Sequence, residues 1–412
     1  MIYSQANNSD ELNKVLGKQP IWTEHSLEDL CDLVNGRGFK PHEWRKTGLP
    51  IIRIQNLNGS KKFNYFDGDF NEKILVEPEQ LLFAWSGSRG TSFGPHIWTG
   101  PRGVLNYHTW KVVPKTKVDL SFLFQLLAFE TVRIEESSHG AAALVHVKKC
   151  EMEKRKFLVP PLQEQSSIAQ LLNTWDLSIE KLGMTFNMKK KRRNGILQSL
   201  FNTDQKVGNE WKQTQLSKIS NRIRRTSDGN IHPVMTISAK SGFRLQSDKF
   251  ARNMAGRSVD RYTMLLEGEF AFNKGNSKTA PYGCIYRLDR PSALIPFVYY
   301  CFKMSDDLHH PFYEHLFAAG VLNHQLSRLI NSGVRNDGLF NLYADDFFGC
   351  RIPVPPFEDQ VKIARAITAL NDELALIEAE VTALKRQKRG LMQKLLTGKL
   401  RVGVEDIMEV SE

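Results

Sequence analysis

The sequence predicts a mixed α/β fold in which two globular domains are separated by two long helices, and in which the whole arrangement is duplicated. Three observations lead to this prediction. A segment containing "VPP" occurs twice, each copy continues as an apolar helix pattern, and short β-rich runs divided by loops rich in Gly, Ser and Asn precede each copy. A repeat this long corresponds to whole domains, because solenoid repeats have periods of about 20 to 50 residues.

The two copies align without a gap when the sequence is shifted by 195 residues. Pro160 then falls on Pro355, Gln165 falls on Gln360, and the match continues through both helix patterns. Such a register over the length of a helix indicates duplication of an ancestral unit.

Each copy predicts one long helix with a narrow apolar seam. Proline is tolerated in the first turn, and an acidic residue there complements the helix dipole. Apolar residues recur at alternating steps of three and four, which is typical of a coiled coil. The first predicted seam contains Ile168, Leu172, Trp175, Ile179, Leu182 and Phe186, and the second contains Ile363, Ile367, Leu370, Leu374, Ile377, Val381 and Leu384.

We interpret the two seams as partners in an intramolecular antiparallel coiled coil, which would place the domains that precede the helices at opposite ends. Periodicity alone does not fix that orientation. The alternative is that each helix packs only on its own domain. At about 1.5 Å per residue, each helix would be roughly 60 Å long.

The remaining segments give the predicted domain boundaries. We expect an N-terminal extension at residues 1–20, a first globular domain at 21–157, a central long helix at 158–204, a second globular domain at 205–352, and a C-terminal long helix with its tail at 353–412. Runs such as "LPIIRIQNL" and "HPVMTIS" predict strands, and clusters such as "NGRGFKP" and "NKGNSK" predict loops.

The charge of the chain suggests an acidic partner. A net charge of +11 favours nucleic acid, then an anionic membrane, with solubility as the plain alternative. The five cysteines form no CxxC pair, which fits a reducing compartment and gives no zinc motif. No signal peptide is evident and no apolar run is long enough for a bilayer, so we expect a soluble, cytoplasmic protein.

The loops carry the residue types that recognise bases in the major groove. Arg and Lys pair with guanine, and Asn and Gln with adenine, while hydroxyl groups and imidazole add further hydrogen bonds. The candidates in the first domain are Arg37, Lys40, Arg53, Asn56, Ser86, Ser88, Arg89, Asn106 and His108. Those in the second domain are Arg222, Arg224, Arg225, Lys240, Arg244, Asn273, Lys274, Asn276, Lys278, Arg335 and Asn336. For any one of them the alternative is a solvated loop residue.

Motifs of an enzyme are missing from the sequence. "PVPPF" resembles the Asn/Asp-Pro-Pro-aromatic motif of amino-methyltransferases, but Val354, and Val159 in the other copy, cannot hold a target amino group. No phosphate-binding loop and no HExxH motif occurs. We therefore expect no catalytic residue, no metal and no cofactor in this chain.

Two basic runs lie at matching places in the two helices, "KKKRR" at 189–193 and "KRQKR" at 385–389. Their matched position suggests a shared task, such as docking of a partner or of the DNA backbone. A solvated helix face is the alternative.

Taken together, these motifs resemble the specificity subunit of type I restriction-modification systems over essentially the full chain. The resemblance rests on the duplicated "VPP-[LF]-x-[ED]-Q" helix starts, the closing "LMQKLLTGKLRV", and the paired openings Trp22/Leu27 and Trp211/Leu216. "GLPIIRIQNLNG" and "LLFAWSGSRGTS" resemble one class of target-recognition domain, and "TISAKSGFRLQSDKF" and "YTMLLEGEFAFNKGNS" resemble another.

The resemblance implies a division of labour. Each globular domain would recognise one half of a split double-stranded DNA target, and the helices would set the gap between the halves. Two methyltransferase subunits, which would bind S-adenosylmethionine and modify adenine, would dock on this chain, and restriction/translocase subunits would join for cleavage. Base-contacting residues do not transfer from the family, because its recognition domains vary.

Two other functions remain open from the residues alone. The chain could be a coiled-coil adaptor unrelated to DNA, which would bind DNA weakly and without sequence preference. It could also be a standalone DNA-modifying enzyme with unrecognised motifs, which would transfer a methyl group without added subunits.

Overall fold

The structure, a computed structural model, describes residues 21–115, 117–137, 144–201, 211–249, 261–275, 279–330 and 339–402. The chain divides into two compact units. The first unit comprises Met1–Gly183 and Ala379–Glu412, and the second comprises Met184–Glu378. Each unit contains one globular domain and a part of each long helix, so the unit boundaries cut the helices that the sequence predicted as separate segments. The expected N-terminal extension at 1–20 lies outside the described residues.

In its described residues, the first unit contains twelve strands, four short or medium helices, the first part of one long helix and the end of the other. The strands are β1 Thr23–Ser26, β2 Cys31–Asn35, β3 Leu49–Ile52, β4 Tyr65–Phe66, β5 Leu75–Val76, β6 Leu81–Ala84, β7 Ser86–Ser88, β8 Gly94–Ile97, β9 Gly103–Leu105, β10 Thr109–Pro114, β11 Leu144–His146 and β12 Lys156–Val159. The helices are α1 Leu27–Leu30, α2 Ile54–Leu57, α3 Leu120–Ser137, α4 Lys149–Glu153 and the long helix α5 Leu162–Phe201, with 3-10 turns at Pro41–Glu43 and Glu72–Ile74.

The main sheet of the first unit has the strand order β2-β10-β6-β8, and all its neighbours are antiparallel. Because side chains alternate along a strand, β6 contributes to two cores. Phe83 packs with Trp110 and with Phe122 of α3, while Leu82 belongs to the core of a second sheet, β4-β3-β9-β5. Helix α3 therefore covers one face of the main sheet and the second sheet covers the other.

Over the part that the structure describes, the second unit repeats this construction with ten strands. They are β13 Lys212–Gln215, β14 Ser220–Ile223, β15 Met235–Ser238, β16 Gly242–Leu245, β17 Thr263–Leu266, β18 Phe270–Asn273, β19 Cys284–Arg287, β20 Ser292–Ile295, β21 Tyr300–Met304 and β22 Arg351–Val354. The helices are α6 Leu216–Ile219, α7 Gln246–Lys249, α8 His310–Ala318, α9 Asn323–Leu329, α10 Ala344–Gly349 and the long helix α11 Phe357–Leu395.

The sheets of the two units correspond strand for strand at the base of each domain. The main sheet of the second unit is β14-β21-β18-β19 and is again antiparallel. The edge pair β13–β22 repeats β1–β12, so that Lys212 faces Val354 as Thr23 faces Val159. The alternation recurs as well, since Phe272 lies in the core with α8 and Ala271 lies in the opposite core. The predicted duplication and mixed α/β class are confirmed.

In the first unit, α5 and the end of α11 run antiparallel. Ile168 and Leu172 share a core with Leu395, and one turn further along α5 the carboxylate of Asp176 accepts from Lys388 Nζ at 2.6 Å. Residues nearer the C-terminus of α5 therefore contact residues nearer the N-terminus of α11. The ammonium group of Lys388 stands in the apolar seam, with only 11% of its side chain exposed.

In the second unit, the end of α5 and the start of α11 are also antiparallel. Leu197 and Phe201 share a core with Ile367, and Lys189 Nζ donates to Glu373 Oε1 at 2.6 Å. The sequence left the helix direction open, and these contacts give the same antiparallel direction within each unit. All the predicted seam residues are buried or half-buried, whereas Leu171, Leu177 and Leu376 beside the seam are exposed.

The repeated glutamine of the "VPP" motif has the same task in both units. Gln165 Oε1 accepts from the backbone N–H of Asp119, and Gln165 Nε2 donates to the carbonyl of Pro160, both at 2.8 Å. Gln360 makes the equivalent contacts, with the N–H of His309 at 2.9 Å and the carbonyl of Pro355 at 2.8 Å. Each long helix is thereby tied to the start of the helix that covers its sheet.

The segment after α11 closes the first unit. Arg401 donates twice to the buried carboxylate of Glu164, at 2.6 and 2.7 Å, and Trp22 Nε1 donates to the same carboxylate at 3.0 Å. Gly398 has φ +73° and lies against the Trp22 ring, where a turn into the left-handed region favours glycine. The motif "LTGKLRV" therefore attaches the segment after α11 to the start of α5, and we call this contact of Trp22 and Arg401 with Glu164 the clasp.

Candidate nucleic-acid interface

In each unit one end of the main sheet is tied to the start of a long helix by a buried glutamine, and the opposite end carries several of the predicted base-contacting residues. In the first unit the tied end leads from β10 to Asp119 and Gln165. At the opposite end, β2 and β6 finish where β10 begins. We call this opposite end the loop end. It comprises residues 35–37, 85–88 and 106–108 in the first unit and, by the same strand register, the described residues 224–226, 274–275 and 296–298 in the second.

The loop end of the first unit brings several predicted residues together. Arg37 forms a backbone bridge with Asn106, and Gly36 permits this approach because a Cβ there would lie 2.1 Å from the Asn106 carbonyl oxygen. The Arg37 guanidinium is half-buried over the Phe39 ring at 5.0 Å and is paired with Glu43. Its side chain is thus held in place by neighbours.

Hydroxyl and imidazole groups complete this end of the first sheet. Ser86 is half-buried opposite His146, while Ser88 and Arg89 are exposed in the tight loop that follows β7. Burial lowers the pKa of His108 below its ordinary value of 6.5. At neutral pH this imidazole is therefore uncharged and presents one donor and one acceptor, a pattern suited to a base edge.

Three further candidates of the first domain lie beside this cluster. Lys40 is exposed, and Arg53 is half-buried with its guanidinium 4.4 Å from the centre of the Trp44 ring. Asn56 was also predicted as a base contact. In the structure its side chain is buried, accepts from the N–H of Arg53 at 3.1 Å, and donates to the carbonyls of Ser60 and Lys62 at 2.9 and 3.0 Å. The amide therefore holds a turn, and both of its N–H donors are engaged there.

Two candidates of the second domain also serve the fold. Arg225 makes two hydrogen bonds to the carboxylate of Glu269, at 2.9 and 3.3 Å. Asn273 donates to the carbonyl of Ile237 at 3.1 Å and accepts from the N–H of Gly275 at 2.9 Å. In the structure each of these side chains thus stabilises the domain through two hydrogen bonds, Arg225 to a carboxylate and Asn273 to the backbone.

The other described candidates of the second domain are more accessible. Arg222, Arg224, Lys240 and Arg244 are exposed, and Lys274 is half-buried. Arg222 and Lys274 both lie over the Tyr300 ring, at 5.4 and 4.9 Å. Lys240 stands at the tip of the β15–β16 hairpin, whose backbone is bound at Ala239 by the Tyr286 hydroxyl. Asn276, Lys278, Arg335 and Asn336 lie outside the described residues.

The basic runs of the helices are partly consumed by ion pairs. Lys189 binds Glu373 and Lys388 binds Asp176, both within the helix pair. Arg389 binds Glu136 of α3. Lys190, Lys191, Arg192, Lys385 and Arg386 remain exposed. Each run therefore has some residues in ion pairs within the protein and others that are exposed.

Sequence reasoning missed two exposed aromatic rings at the loop ends. Tyr107 and Phe297 expose 47% and 49% of their surface. The residues predicted from the sequence to contact bases all have polar or charged side chains. An aromatic ring that stays exposed beside polar loop residues is also a signal for nucleic-acid contact.

The described residues offer little for catalysis. They contain no group of His, Cys, Asp or Glu that could hold a metal ion. Burial raises the pKa of the Cys31 and Cys301 thiols to about 12, so both stay protonated at neutral pH. Among the described helices, none combines the length and apolar character needed to cross a bilayer.

Comparison with known proteins gives one consistent result. A family model described as the type I restriction modification DNA specificity domain matches residues 21–184. The specificity subunit of the type I restriction enzyme MjaVIII of Methanocaldococcus jannaschii is 22% identical over 368 residues, which cover 81% of each chain. The specificity subunit of EcoKI of Escherichia coli K12 is 22% identical over 430 residues, which cover 93% of this chain and 90% of that one.

A solved structure shares the fold. The S subunit of a type I restriction-modification system from M. genitalium has a TM-score of 0.54 and 17% identity, and the match covers 92% of this chain and 97% of that one. The family model, the full-length relatives and the duplicated fold agree with each other. On these grounds residues 21–184 match the type I DNA specificity domain, and over most of its length the chain is similar to the specificity subunits of type I restriction-modification systems.

Proposed function

We propose that this chain is the sequence-recognising DNA-binding subunit of a type I restriction-modification complex. Each globular domain recognises one half of a split DNA target, and the chain carries out no chemistry itself. The observation that carries this proposal is the repeated loop end. Two different sets of polar and basic loops occupy the same end of two equivalent sheets, while the other end of each sheet is tied to the helices by Gln165 or Gln360.

The division of the domains explains the pattern of similarity between them. Strands and helix contacts at the tied end repeat closely, because both units need the same attachment to the helix pair. Residues at the loop end do not repeat, as expected if each domain recognises a different sequence by direct contacts with base edges.

Exchange of one domain tests this division. Residues 21–157 are replaced by the corresponding domain of another specificity subunit, and methylated sites of the host genome are mapped before and after. We expect one half of a split motif to change and the other half, with the gap, to stay. A change in both halves would contradict the proposal.

The helix pair is the proposed spacer between the two half-sites. Insertion of seven residues at matched points in α5 and α11 preserves the heptad phase and adds about 10 Å, or about three base pairs of duplex. We expect the mapped gap to lengthen accordingly, whereas a four-residue insertion, which breaks the phase, should abolish methylation. An unchanged gap after the seven-residue insertion would show that the helices do not set it.

The partners proposed for this chain are two methyltransferase subunits and restriction/translocase subunits, in the cytoplasm of a prokaryote. The exposed cations at 190–192 in the second unit, and those at 385–386 in the first, each support docking of an acidic surface. S-adenosylmethionine is proposed to bind the methyltransferase subunits, where it donates the methyl group to adenine.

A matched pair of assays separates this function from its alternatives. Purified chain alone, with labelled S-adenosylmethionine and host DNA, should transfer no methyl group, and addition of the methyltransferase subunits should restore transfer. Transfer by the chain alone would instead favour an enzyme. A complex that binds all duplexes equally would favour an adaptor without sequence recognition.

A further inference from the structure

We infer that Tyr107 and Phe297 are ring contacts to DNA, each stacking on a base of the half-site that its own domain recognises. The inference rests on the proposed function and adds two binding residues of a chemical type other than the polar candidates. It follows from the position, exposure and support of the two rings.

The two rings occupy equivalent positions. In the first unit, Pro114 faces Cys31 and Trp110 faces Phe83. In the second, Met304 faces Ser220 and Tyr300 faces Phe272. The central strands β10 and β21 therefore correspond, and Trp110 occupies the position in β10 that Tyr300 occupies in β21.

Counting back three residues from each of these positions reaches Tyr107 in the first unit and Phe297 in the second. Both rings thus stand at the loop end, just before the central strand. The loops around them otherwise share no sequence pattern.

Tyr107 is the outermost member of an aromatic series that reaches into the core. Its ring centre lies 3.8 Å from that of His108, which lies 5.4 Å from Trp85, and Trp85 stacks on Trp110 at 6.2 Å. The backbone is fixed as well, since Trp85 Nε1 donates to the Tyr107 carbonyl at 2.8 Å and the Tyr107 N–H donates to Asn106 Oδ1 at 2.8 Å. The exposed ring is therefore held in place before any ligand binds, which lowers the entropy lost on contact.

Phe297 is supported differently but presents the same surface. The Arg261 guanidinium lies 4.7 Å from the centre of its ring. The turn that carries it is closed by the N–H of Tyr299, which donates to the carbonyl of Pro296 at 3.0 Å, and by the Tyr299 hydroxyl, which lies 3.0 Å from Thr236 Oγ1. A ring beside a guanidinium offers a base a stacking face and a phosphate its counter-charge.

An exposed aromatic ring on its own carries little weight, because protein surfaces contain many apolar atoms. Tyr343 and Phe357 are also exposed, and they adjoin helices α10 and α11. What distinguishes Tyr107 and Phe297 is recurrence at one register position in two domains whose loops differ, together with cationic neighbours. The first ring lies against Gly38, whose Cβ position is 3.9 Å from it and whose loop also carries Arg37 and Lys40, and the Arg261 guanidinium lies over the second ring.

The chemistry of stacking explains why the rings, unlike the polar residues, could keep one place while the target varies. Every base has a π face, so an aromatic ring contributes to binding whichever base lies opposite it. Polar neighbours then select the base by its edge. A ring at a fixed register can therefore serve domains of different specificity.

The experiment uses the complete complex of this chain with its methyltransferase subunits. The probes are a fluorescein-labelled duplex carrying the split motif mapped from host methylation, and duplexes with one half or both halves scrambled. Tyr107→Ala and Phe297→Ala should each weaken binding of the split duplex about 5-fold or more, the effect expected for the loss of one stacked base. Tyr107→Phe and Phe297→Tyr keep the ring and should stay within about 2-fold of the parent.

Each ring should also be assigned to one half-site. Scrambling the half recognised by the first domain removes the edge contacts that hold this domain on its half-site, so Tyr107→Ala should then add no further loss, while Phe297→Ala should keep its full effect. A 2-aminopurine placed at successive positions of that half should change its fluorescence at one position on binding of the parent or of Tyr107→Phe, because a ring inserted at a base step alters the stacking of the neighbouring base. Tyr107→Ala should leave that signal unchanged. Ile97→Ala, which trims an exposed apolar side chain at the other end of the same sheet, should leave binding unchanged.

Several outcomes would overturn the inference. These are unchanged affinity of both alanine variants, equal losses for Tyr107→Ala and Tyr107→Phe, or 2-aminopurine signals indifferent to the ring. If an alanine variant unfolds, Tyr107→Leu and Phe297→Leu keep apolar bulk without a ring and are expected to show the same losses. A parent complex that does not prefer the split duplex over the fully scrambled one would overturn the proposed function itself, and this inference with it.

Discussion

The repeated glutamines allow one contact to be tested twice in the same chain. Gln165 and Gln360 are both 1% exposed, and each bridges a helix N-terminus and a proline carbonyl. Substitution by leucine keeps the volume and removes the hydrogen bonds. A buried polar group left without its partner costs about 1–3 kcal/mol. With two such groups at Gln360, the Gln360→Leu variant should lose about 2–6 kcal/mol of local stability.

Hydrogen exchange read out by mass spectrometry locates the effect. A loss of about 2.8 kcal/mol accelerates exchange through local opening about 100-fold. Gln360→Leu should accelerate exchange around His309, and Gln165→Leu around Asp119, each within its own unit. Gln163→Leu changes an exposed glutamine in the same turn as Gln165 and should leave exchange within about 2-fold of the parent.

The reasoning would be refuted by either of two results. Equal exchange in Gln165→Leu and Gln163→Leu would show that the buried amide contributes nothing beyond an exposed one. Faster exchange around His309 in Gln165→Leu would show that the two contacts are not independent attachments.

Three further predictions concern charges. Arg401→Ala leaves the buried carboxylate of Glu164 without its cation and should lower the unfolding free energy of the first unit, measured in urea, by about 3 kcal/mol. Lys399→Ala is the control and should change that free energy little. Equal losses in the two variants would contradict a stabilising role for the Arg401–Glu164 contact. Asp176→Ala leaves the buried ammonium group of Lys388 without its carboxylate, so it should lower the unfolding free energy more than Glu373→Ala does. The Lys189–Glu373 ion pair is more exposed and contributes at most about 1 kcal/mol. A larger drop in melting temperature for Glu373→Ala than for Asp176→Ala would contradict this prediction. Burial lowers the pKa of His96 below 6.5, so the unfolded chain takes up more protons below that pH, and stability present above about pH 6.5 should fall on acidification. His96→Gln should flatten the difference in urea midpoint between pH 7.5 and 5.5, and an undiminished difference would assign the effect to other groups.

The sequence predicted best what repeats. Gln165 and Gln360, and the apolar steps of the two helices, could be recognised because the same physical need appears twice and coincidence is excluded by the shared register. The direction of the helix pair was not fixed by periodicity, since a heptad seam serves either direction. It depends on which residues meet, such as Asp176 with Lys388, and that is decided by tertiary structure.

The polar loop residues were harder to assign. Asn56 and Asn273 belong to a residue type that recognises adenine, and the same side chain also stabilises turns by bonding nearby backbone groups. Arg225 could equally bind guanine or, as the structure has it, Glu269. Residue type alone cannot separate these uses, because both depend on the same donors and acceptors. Tyr107 and Phe297 were not predicted as DNA contacts because an aromatic residue in a sequence is usually assigned to the hydrophobic core.

The clasp has a consequence for biosynthesis. The first unit needs Leu395 and Arg401 to fill its core and neutralise Glu164, yet these residues are translated only after the whole of the second unit. The second unit is one continuous segment, Met184–Glu378. On the ribosome the second unit therefore has its whole sequence available before the first unit does, and the apolar surface around Ile168 and Leu172 stays open to chaperones until Leu395 has been translated.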